Sequence, residues 1–278
     1  MSELRRRVSI AMTRVATRLL RLMGVRDPLV RWRSEQRRAK RSAAEAVGDD
    51  RLSRPALHEL DAKLNAIIDR DAGFFVEAGA HDGFNQSNTY WLERFRGWRG
   101  LLVEPIPELA AEARASRPTA TVVQCALVSA TDRRSHVQMR FGDLMSMVDG
   151  AKGSDWPSFG TVLGWRDPYE VDVPARTLSS LLDEIGAPEV DFLSLDVEGF
   201  EAAVLGGLDL DRHAPRYILL EVHNREKEQA RLAEILKDRY TEYGWLSPLD
   251  VLYMRHDVAS HELANGKAGV SSLGDAQR

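Results

Sequence analysis

The chain has 278 residues, 44% apolar and 29% charged, enough for one large α/β domain with appendages. Its single cysteine, Cys125, excludes an intrachain disulfide and fits a reducing compartment, and no apolar run reaches the roughly 18 residues of a membrane-spanning helix. The net charge of −4 is unevenly spread: residues 1–47 hold 13 Lys and Arg against 4 Asp and Glu, a balance of +9 that leaves −13 on the remainder, too acidic a body for a general nucleic-acid binder.

The N-terminus lacks the apolar core and cleavage site of a secretory leader, so the expected location is cytoplasmic. Val8, Met12, Val15, Leu19, Leu22 and Met23 recur at helical spacing among Arg5, Arg6, Arg7, Arg14, Arg18 and Arg21. This basic amphipathic helix is expected to pack on the body or on a second subunit of a homo-oligomer. The alternative is peripheral contact of residues 1–47 with the inner face of an anionic membrane. Asp27-Pro28 reads as an N-cap with Pro at the first helical position, opening a second basic helix through about Ala46. Residues 1–54 thus form a basic helical extension.

Leu57, Leu60, Leu64, Ile67 and Ile68 make an apolar helical stripe leading into a strand, Phe74-Phe75-Val76. That strand ends in an acid and a glycine turn, Glu77-Ala78-Gly79-Ala80-His81-Asp82-Gly83. A helical segment follows, then a second apolar run, Leu101-Leu102-Val103, ending in Glu104-Pro105. Strand, glycine turn, helix, strand, acid is the pattern of a nucleoside-cofactor site.

Elements then alternate. Pro107–Ser116 reads as a helix, Thr121–Leu127 and Ser135–Phe141 as strands, Val171–Arg176 as extended and Leu178–Ile185 as helical. Val190–Val197 is an apolar strand containing Asp196, followed by a short helix Glu201–Leu208 and a buried-type strand Tyr217–Val222 containing Glu221. A helix Lys227–Tyr240 and a last strand Val251–Met254 complete the domain, residues 55–255. The tail 256–278 reads as loose. Residues 142–170 lack periodicity and carry Trp156, Phe159, Trp165 and Tyr169, which suits an acceptor lid or a hydrophobic plug. Alternation of this kind implies a mostly parallel sheet with helices on both faces.

Glu77, Glu104, Asp196 and Glu221 all fall at or near strand ends, where ligands of open α/β sheets bind. The G-A-H-D-G spacing is not the G-x-G-x-x-G of a dinucleotide oxidoreductase, which stands as the alternative enzyme reading. A carboxylate at Glu77 repels pyrophosphate but suits the sulfonium and ammonium of S-adenosylmethionine, and Glu104 is placed to accept both ribose hydroxyls.

The segments VEAGAHDG, SNTYWLE, GWRGLLVEPIPE, VDFLSLDVEGFEAAVLGGL and YILLEVH resemble the FkbM-type family of S-adenosylmethionine-dependent methyltransferases over roughly residues 73–224. The resemblance implies a class I methyltransferase Rossmann-like sheet of seven strands, the last antiparallel. It also implies O-methylation of hydroxyls on sugars, glycolipids or glycosylated natural products. Carried onto this sequence, it implies a cofactor loop of Glu77, Gly79, Ala80, His81, Asp82 and Gly83. It sets Glu104 and Pro105 at the ribose, Ala126 at adenine, Asp196 by the reacting methyl and Ser87 at the methionine end.

An alcohol needs its proton removed as the bond forms. The candidate bases are His223, whose ordinary pKa suits the task, Asp196, Glu198 and His81. Glu198 and Glu201, three apart, either share a helix face or leave Glu198 as the helix cap. The other route is Mg²⁺ held by Asp196 and Glu221. A non-catalytic, membrane-associated cofactor-binding protein is the remaining alternative.

Overall fold

A computed structural model describes residues 28–141, 146–148, 169–223 and 225–264, and divides the chain into two compact units at Ser53/Arg54. The first unit contains α1 (Pro28–Glu45), opened by proline as expected and carrying an exposed Trp32. Ser53 Oγ donates back to Glu45 Oε1 at 2.7 Å. The amphipathic pattern over residues 5–23 lies outside the described residues.

The second unit is an α/β sandwich. Its seven-stranded sheet runs in the order β10-β11-β9-β8-β1-β2-β3. The strands are β1 (Phe74–Ala78), β2 (Arg99–Val103), β3 (Thr121–Val123), β8 (Phe192–Leu195), β9 (Tyr217–Glu221), β10 (Tyr240–Trp245) and β11 (Asp250–Arg255). β9, β8, β1, β2 and β3 are parallel neighbours, and β11 runs antiparallel between β9 and β10.

The central strands are apolar on both faces because both faces are covered. Val76, Leu101, Leu193 and Ile218 point to one side, against α5 (Leu178–Glu184), α6 (Glu201–Leu205) and α8 (Ala230–Leu236). Phe75, Leu102, Phe192 and Leu219 point to the other, against α2 (Leu60–Ile67), α3 (Tyr90–Arg96) and Ala113 of α4 (Pro107–Ser116). A short α7 (Leu210–His213) precedes β9.

Four expectations change. The single strand expected over Thr121–Leu127 is two, because after β3 the chain leaves the main sheet. β4 (Ala126–Leu127) pairs with β7 (Tyr169–Arg176) in a second sheet ordered β4-β7-β5-β6, with β5 at His136–Phe141 and β6 at Ser146–Val148. The helix expected to run to Tyr240 stops at Leu236 after a π-helical turn, Arg225–Gln229, and Tyr240 instead begins β10, paired with β11. The stripe before β1 is broken: a 3₁₀ turn at Leu57–Glu59, with His58 in a left-handed conformation, precedes α2. The tail expected to be loose opens with a helix, α9 (His256–Ala264), because Val258 finds a place in the core beside Met254. Most of the expected lid, including Trp156, Phe159 and Trp165, lies outside the described residues, as do residues 265–278.

Candidate active site at the carboxyl edge of the sheet

The parallel strands deliver their carboxyl ends to one edge, and a cleft with about 1140 Å³ of space lies there, open to solvent. Glu77, Glu104, Asp196 and Glu221 all line it, so the four strand-end acids converge as expected. Gly79, Ala80, His81, Ser87, Pro105 and Ala126 line it too; Asp82, Gly83 and His223 are not part of its lining.

Gly79 is fixed by space. Its φ is +84°, and a Cβ there would sit 1.8 Å from the carbonyl oxygen of Asp196. The β1 turn therefore presses on the end of β8, and only glycine lets it. Gly83 (φ +77°) is packed in the same way, where a Cβ would meet Arg117 Cγ at 2.9 Å.

Beyond Gly79 the turn is tied to β2. Glu104 Oε2 accepts the His81 N–H at 2.8 Å, and Oε1 accepts the Ile106 N–H at 2.9 Å. The residue is 4% exposed, and burial pushes its carboxyl up to about 7 against those two hydrogen bonds. Asp82 has a different fate: despite burial, the His81 side chain and the Asn85 and Phe84 N–H groups hold it down at about 2. Asp82 thus shapes the turn rather than facing the cleft.

Glu77 was expected to meet a cationic ligand, yet its oxygens are already engaged. Oε1 accepts the Asn88 N–H at 2.8 Å; Oε2 accepts Ser87 Oγ at 2.8 Å and Thr89 Oγ1 at 2.6 Å, with Arg117 Nη1 at 3.5 Å. Ser87 Oγ in turn accepts from the Thr89 and Tyr90 N–H groups. Both side chains build the wall of the cleft, and the Ser87 hydroxyl is not free to grip a methionine end.

Asp196, Glu221, Glu198 and His223 form a second cluster at the cleft. His223 Nε2 lies 3.1 Å from Glu221 Oε2 and 3.6 Å from Glu198 Oε2. Those carboxylates push the imidazole up to about 11, Glu198 first and Glu221 second. That pairing favours the imidazolium, which counts against the free general base expected at His223. Burial and the adjoining Glu221 carboxyl raise Asp196 well above the ordinary carboxylate range, while Glu221, against its own burial, is held low by His223 and Asp196. Within the pair the proton is thus favoured on Asp196 and the charge on Glu221.

Such a pair does not fit a divalent cation. His223 already neutralises Glu221, and among the described residues no group of three or more His, Cys, Asp or Glu side chains is placed to hold an ion. The expected Mg²⁺ on Asp196 and Glu221 is corrected accordingly.

Glu198 and Glu201 also separate. Glu201 opens α6 and ties back the preceding turn, its Oε1 accepting the Val197 and Gly199 N–H groups at 3.1 and 3.2 Å. Glu198 sits before the helix with φ +54° and faces the cleft. His81, Gln86 and Glu198 are non-glycine residues with positive φ that line the cleft, and strain of this kind concentrates where side chains must be aimed.

The sequence profile of the Methyltransferase FkbM domain matches residues 77–244, from the first strand-end acid to β10. This chain belongs to the FkbM methyltransferase family. It is therefore an S-adenosylmethionine-dependent methyltransferase. No curated protein sequence matches the chain.

Among solved structures, the chain is similar to a TehB-like SAM-dependent methyltransferase from Corynebacterium glutamicum, at 14% identity and TM-score 0.38, over 82% of this chain and 100% of that one. It is also similar to a SAM-dependent methyltransferase from Aquifex aeolicus, at 11% identity and TM-score 0.38, over 78% and 97%. A third is the Burkholderia thailandensis 1,6-didemethyltoxoflavin-N1-methyltransferase, solved with 1,6-didemethyltoxoflavin and S-adenosylhomocysteine, at 15% identity and TM-score 0.36, over 78% and 84%. At these values the likeness decides nothing about this FkbM chain's chemistry.

Several cleft residues of the FkbM chain were not legible in the sequence. Ser194, Asn85, Gln86 and Asn88 line its polar end; Leu109, Cys125, Leu127, Met139 and Phe200 line its apolar end. The period-2 pattern of β8 could have flagged Ser194, the one polar residue between Leu193 and Leu195. Met139 could not have been flagged, because it arrives from β5 of the second sheet. Cys125 is buried, its thiol pushed up to about 12 by burial, so it serves as packing rather than as a nucleophile.

Proposed function

We propose that the chain transfers a methyl group to a hydroxyl of a small-molecule or glycan acceptor: a sugar, a glycolipid or a glycosylated natural product. The observation that carries this reading is the adjoining Asp196 and Glu221 carboxyls in the cleft lining, with His223 paired to Glu221 at 3.1 Å and Asp196 raised by burial and by Glu221. When bound, S-adenosylmethionine supplies an electrophilic methyl on a cationic sulfur. Residues 79–83 would form the loop that holds it, and Glu104, already accepting the His81 and Ile106 N–H groups, would accept its ribose hydroxyls on its remaining lone pairs. Pro105 and Ala126 border the adenosyl group.

Asp196 is the proton acceptor of this scheme. A positive charge in the cleft would offset the burial and the Glu221 repulsion that raise Asp196, favouring its ionised form as the site fills. Asp196 then takes the hydroxyl proton as the O–CH₃ bond forms; the S–CH₃ bond breaks and its electron pair stays on sulfur. One positive charge disappears from the cleft as one carboxylate is neutralised, so its net charge is unchanged. His223, paired to Glu221, favours its ionised form throughout and is a positioning residue in this reading.

The exposed Trp32 on the basic helix α1 supports a second element: a cytoplasmic enzyme whose arm meets the inner face of an anionic membrane, where a lipid-linked acceptor would be found. A methyl-transfer screen over free sugars and glycolipids, with labelled S-adenosylmethionine, tests the acceptor class. Labelling of amines or thiols but no alcohol would refute the O-methyl assignment. Co-sedimentation with anionic vesicles, compared between the full chain and one lacking residues 1–47, tests the arm; equal pelleting removes it.

A further inference from the structure

Building on the proposed cofactor site, we infer that Arg117 is a positioning residue that sets the turn 85–88 to receive the amino-acid end of the cofactor. Arg117 follows α4 and is completely buried, 0% exposed. Every nitrogen of its guanidinium has a partner. Nε meets Glu93 of α3, and Nη2 donates to Thr89 Oγ1 at 2.9 Å. Nη1 donates to the Gly83 carbonyl at 3.2 Å and Ser87 Oγ at 3.1 Å, with Glu77 Oε2 at 3.5 Å. The cation also lies 5.1 and 5.5 Å from the ring centres of Phe75 and Tyr90.

A buried ion network of this kind adds little stability over an apolar replacement, so its presence asks for a geometric reason. The partners supply one. Gly83, Ser87 and Thr89 flank the turn that carries Asn85, Gln86 and Asn88 into the cleft, and Gln86 there is held at φ +60°. Lysine could bring the charge but not the planar fork that reaches all of them together.

The turn stands at the polar end of the cleft. Asn88 Nδ2 donates to Ser194 Oγ of β8 at 3.1 Å, which places the turn on the β8 side of β1. Glu104 and the apolar wall of Leu109, Cys125 and Ala126 lie on the β2–β4 side. An adenosyl amino acid is flat and weakly polar at one end and zwitterionic at the other, so only one orientation matches. Asn88 is 8% exposed, and its Oδ1, although buried, has no hydrogen-bond partner among the described residues. An acceptor left without a donor at this end is what an ammonium group would satisfy, after a small turn of the amide.

The test compares two ligands, S-adenosylhomocysteine and 5′-methylthioadenosine, which share the adenosine and the thioether but differ in the amino-acid end. Calorimetry is run on the wild type, Arg117→Met and Arg117→Lys. Both variants are expected to bind S-adenosylhomocysteine about tenfold more weakly, with 5′-methylthioadenosine changed by less than about twofold. Equal losses for the two ligands, or no loss, would overturn the inference, because a merely structural role cannot tell them apart. If circular dichroism shows the Arg117 variants unfolded, Thr89→Val and Asn88→Ala carry the same comparison, with the same two outcomes. A wild type that binds neither ligand refutes the cofactor site and this inference with it; a wild type that binds both while the variants keep its ratio refutes the inference alone.

Discussion

Replacing Glu104 with glutamine separates two roles of one buried carboxylate. Burial holds the folded-state pKa near 7, against about 4.5 for the free side chain. A raised folded-state pKa means that the stability tied to this group is fully present below pH 4.5 and is lost as pH rises through 7. At about 1.4 kcal/mol per unit, the loss from Glu104 comes to about 3.5 kcal/mol in all, an upper figure for one group. Glu201, also pushed up to about 7 by burial, adds a contribution of the same sign.

Glu104→Gln should therefore flatten, without abolishing, the fall in apo-protein stability between pH 5 and 8, measured by urea unfolding at several pH values. The absolute stability of the variant is a poorer readout, because glutamine cannot accept from both the His81 and Ile106 N–H groups. Cofactor binding should move the other way. Ionised Glu104 makes charge-assisted hydrogen bonds to hydroxyls, so affinity for S-adenosylhomocysteine should rise as pH rises through 7. The substitution should weaken it by roughly 2–3 kcal/mol, or about 30- to 150-fold. An unchanged pH slope in the variant, or unchanged affinity, would refute the placement of a buried, ionisable acceptor at the ribose.

Three further outcomes follow from the site. Asp196→Asn should lower methyl transfer by about 10²- to 10⁴-fold while leaving S-adenosylhomocysteine affinity within a few fold, and comparable losses in both would deny it the proton-acceptor role. Gly79→Ala places a methyl against the Asp196 carbonyl at a positive φ, so it should cost more than about 2 kcal/mol of stability in thermal or urea unfolding; a neutral effect would contradict the close approach of β1 and β8. EDTA should leave the transfer rate unchanged, and a loss restored by Mg²⁺ would show that the Asp196–Glu221 pair recruits an ion after all.

Local pattern carried the frame of the molecule far. Apolar runs buried on both faces, such as FFV and FLSL, read as central parallel strands because nothing else suits a segment with no polar side. The acids at their ends fall at the carboxyl edge for the same reason: strand direction alone decides which edge they reach. Glycine at positions 79 and 83 was equally legible, since a turn pressed between two strands tolerates no Cβ.

What each acid does was settled only by tertiary structure, because a pKa depends on neighbours that are distant in sequence. Glu77 looked like a ligand for a cation, but Arg117, 40 residues on, takes that place. His223 looked like a base of ordinary pKa until Glu198, from the end of another strand, was found beside it. The second sheet and the apolar end of the cleft stayed hidden as well, since β4 and β7 pair across nearly 50 intervening residues. The sequence by itself determined the strands, their direction and the acids they carry to one edge. Charge state and the fit of the turn depend on through-space contact, and only the folded chain decided those.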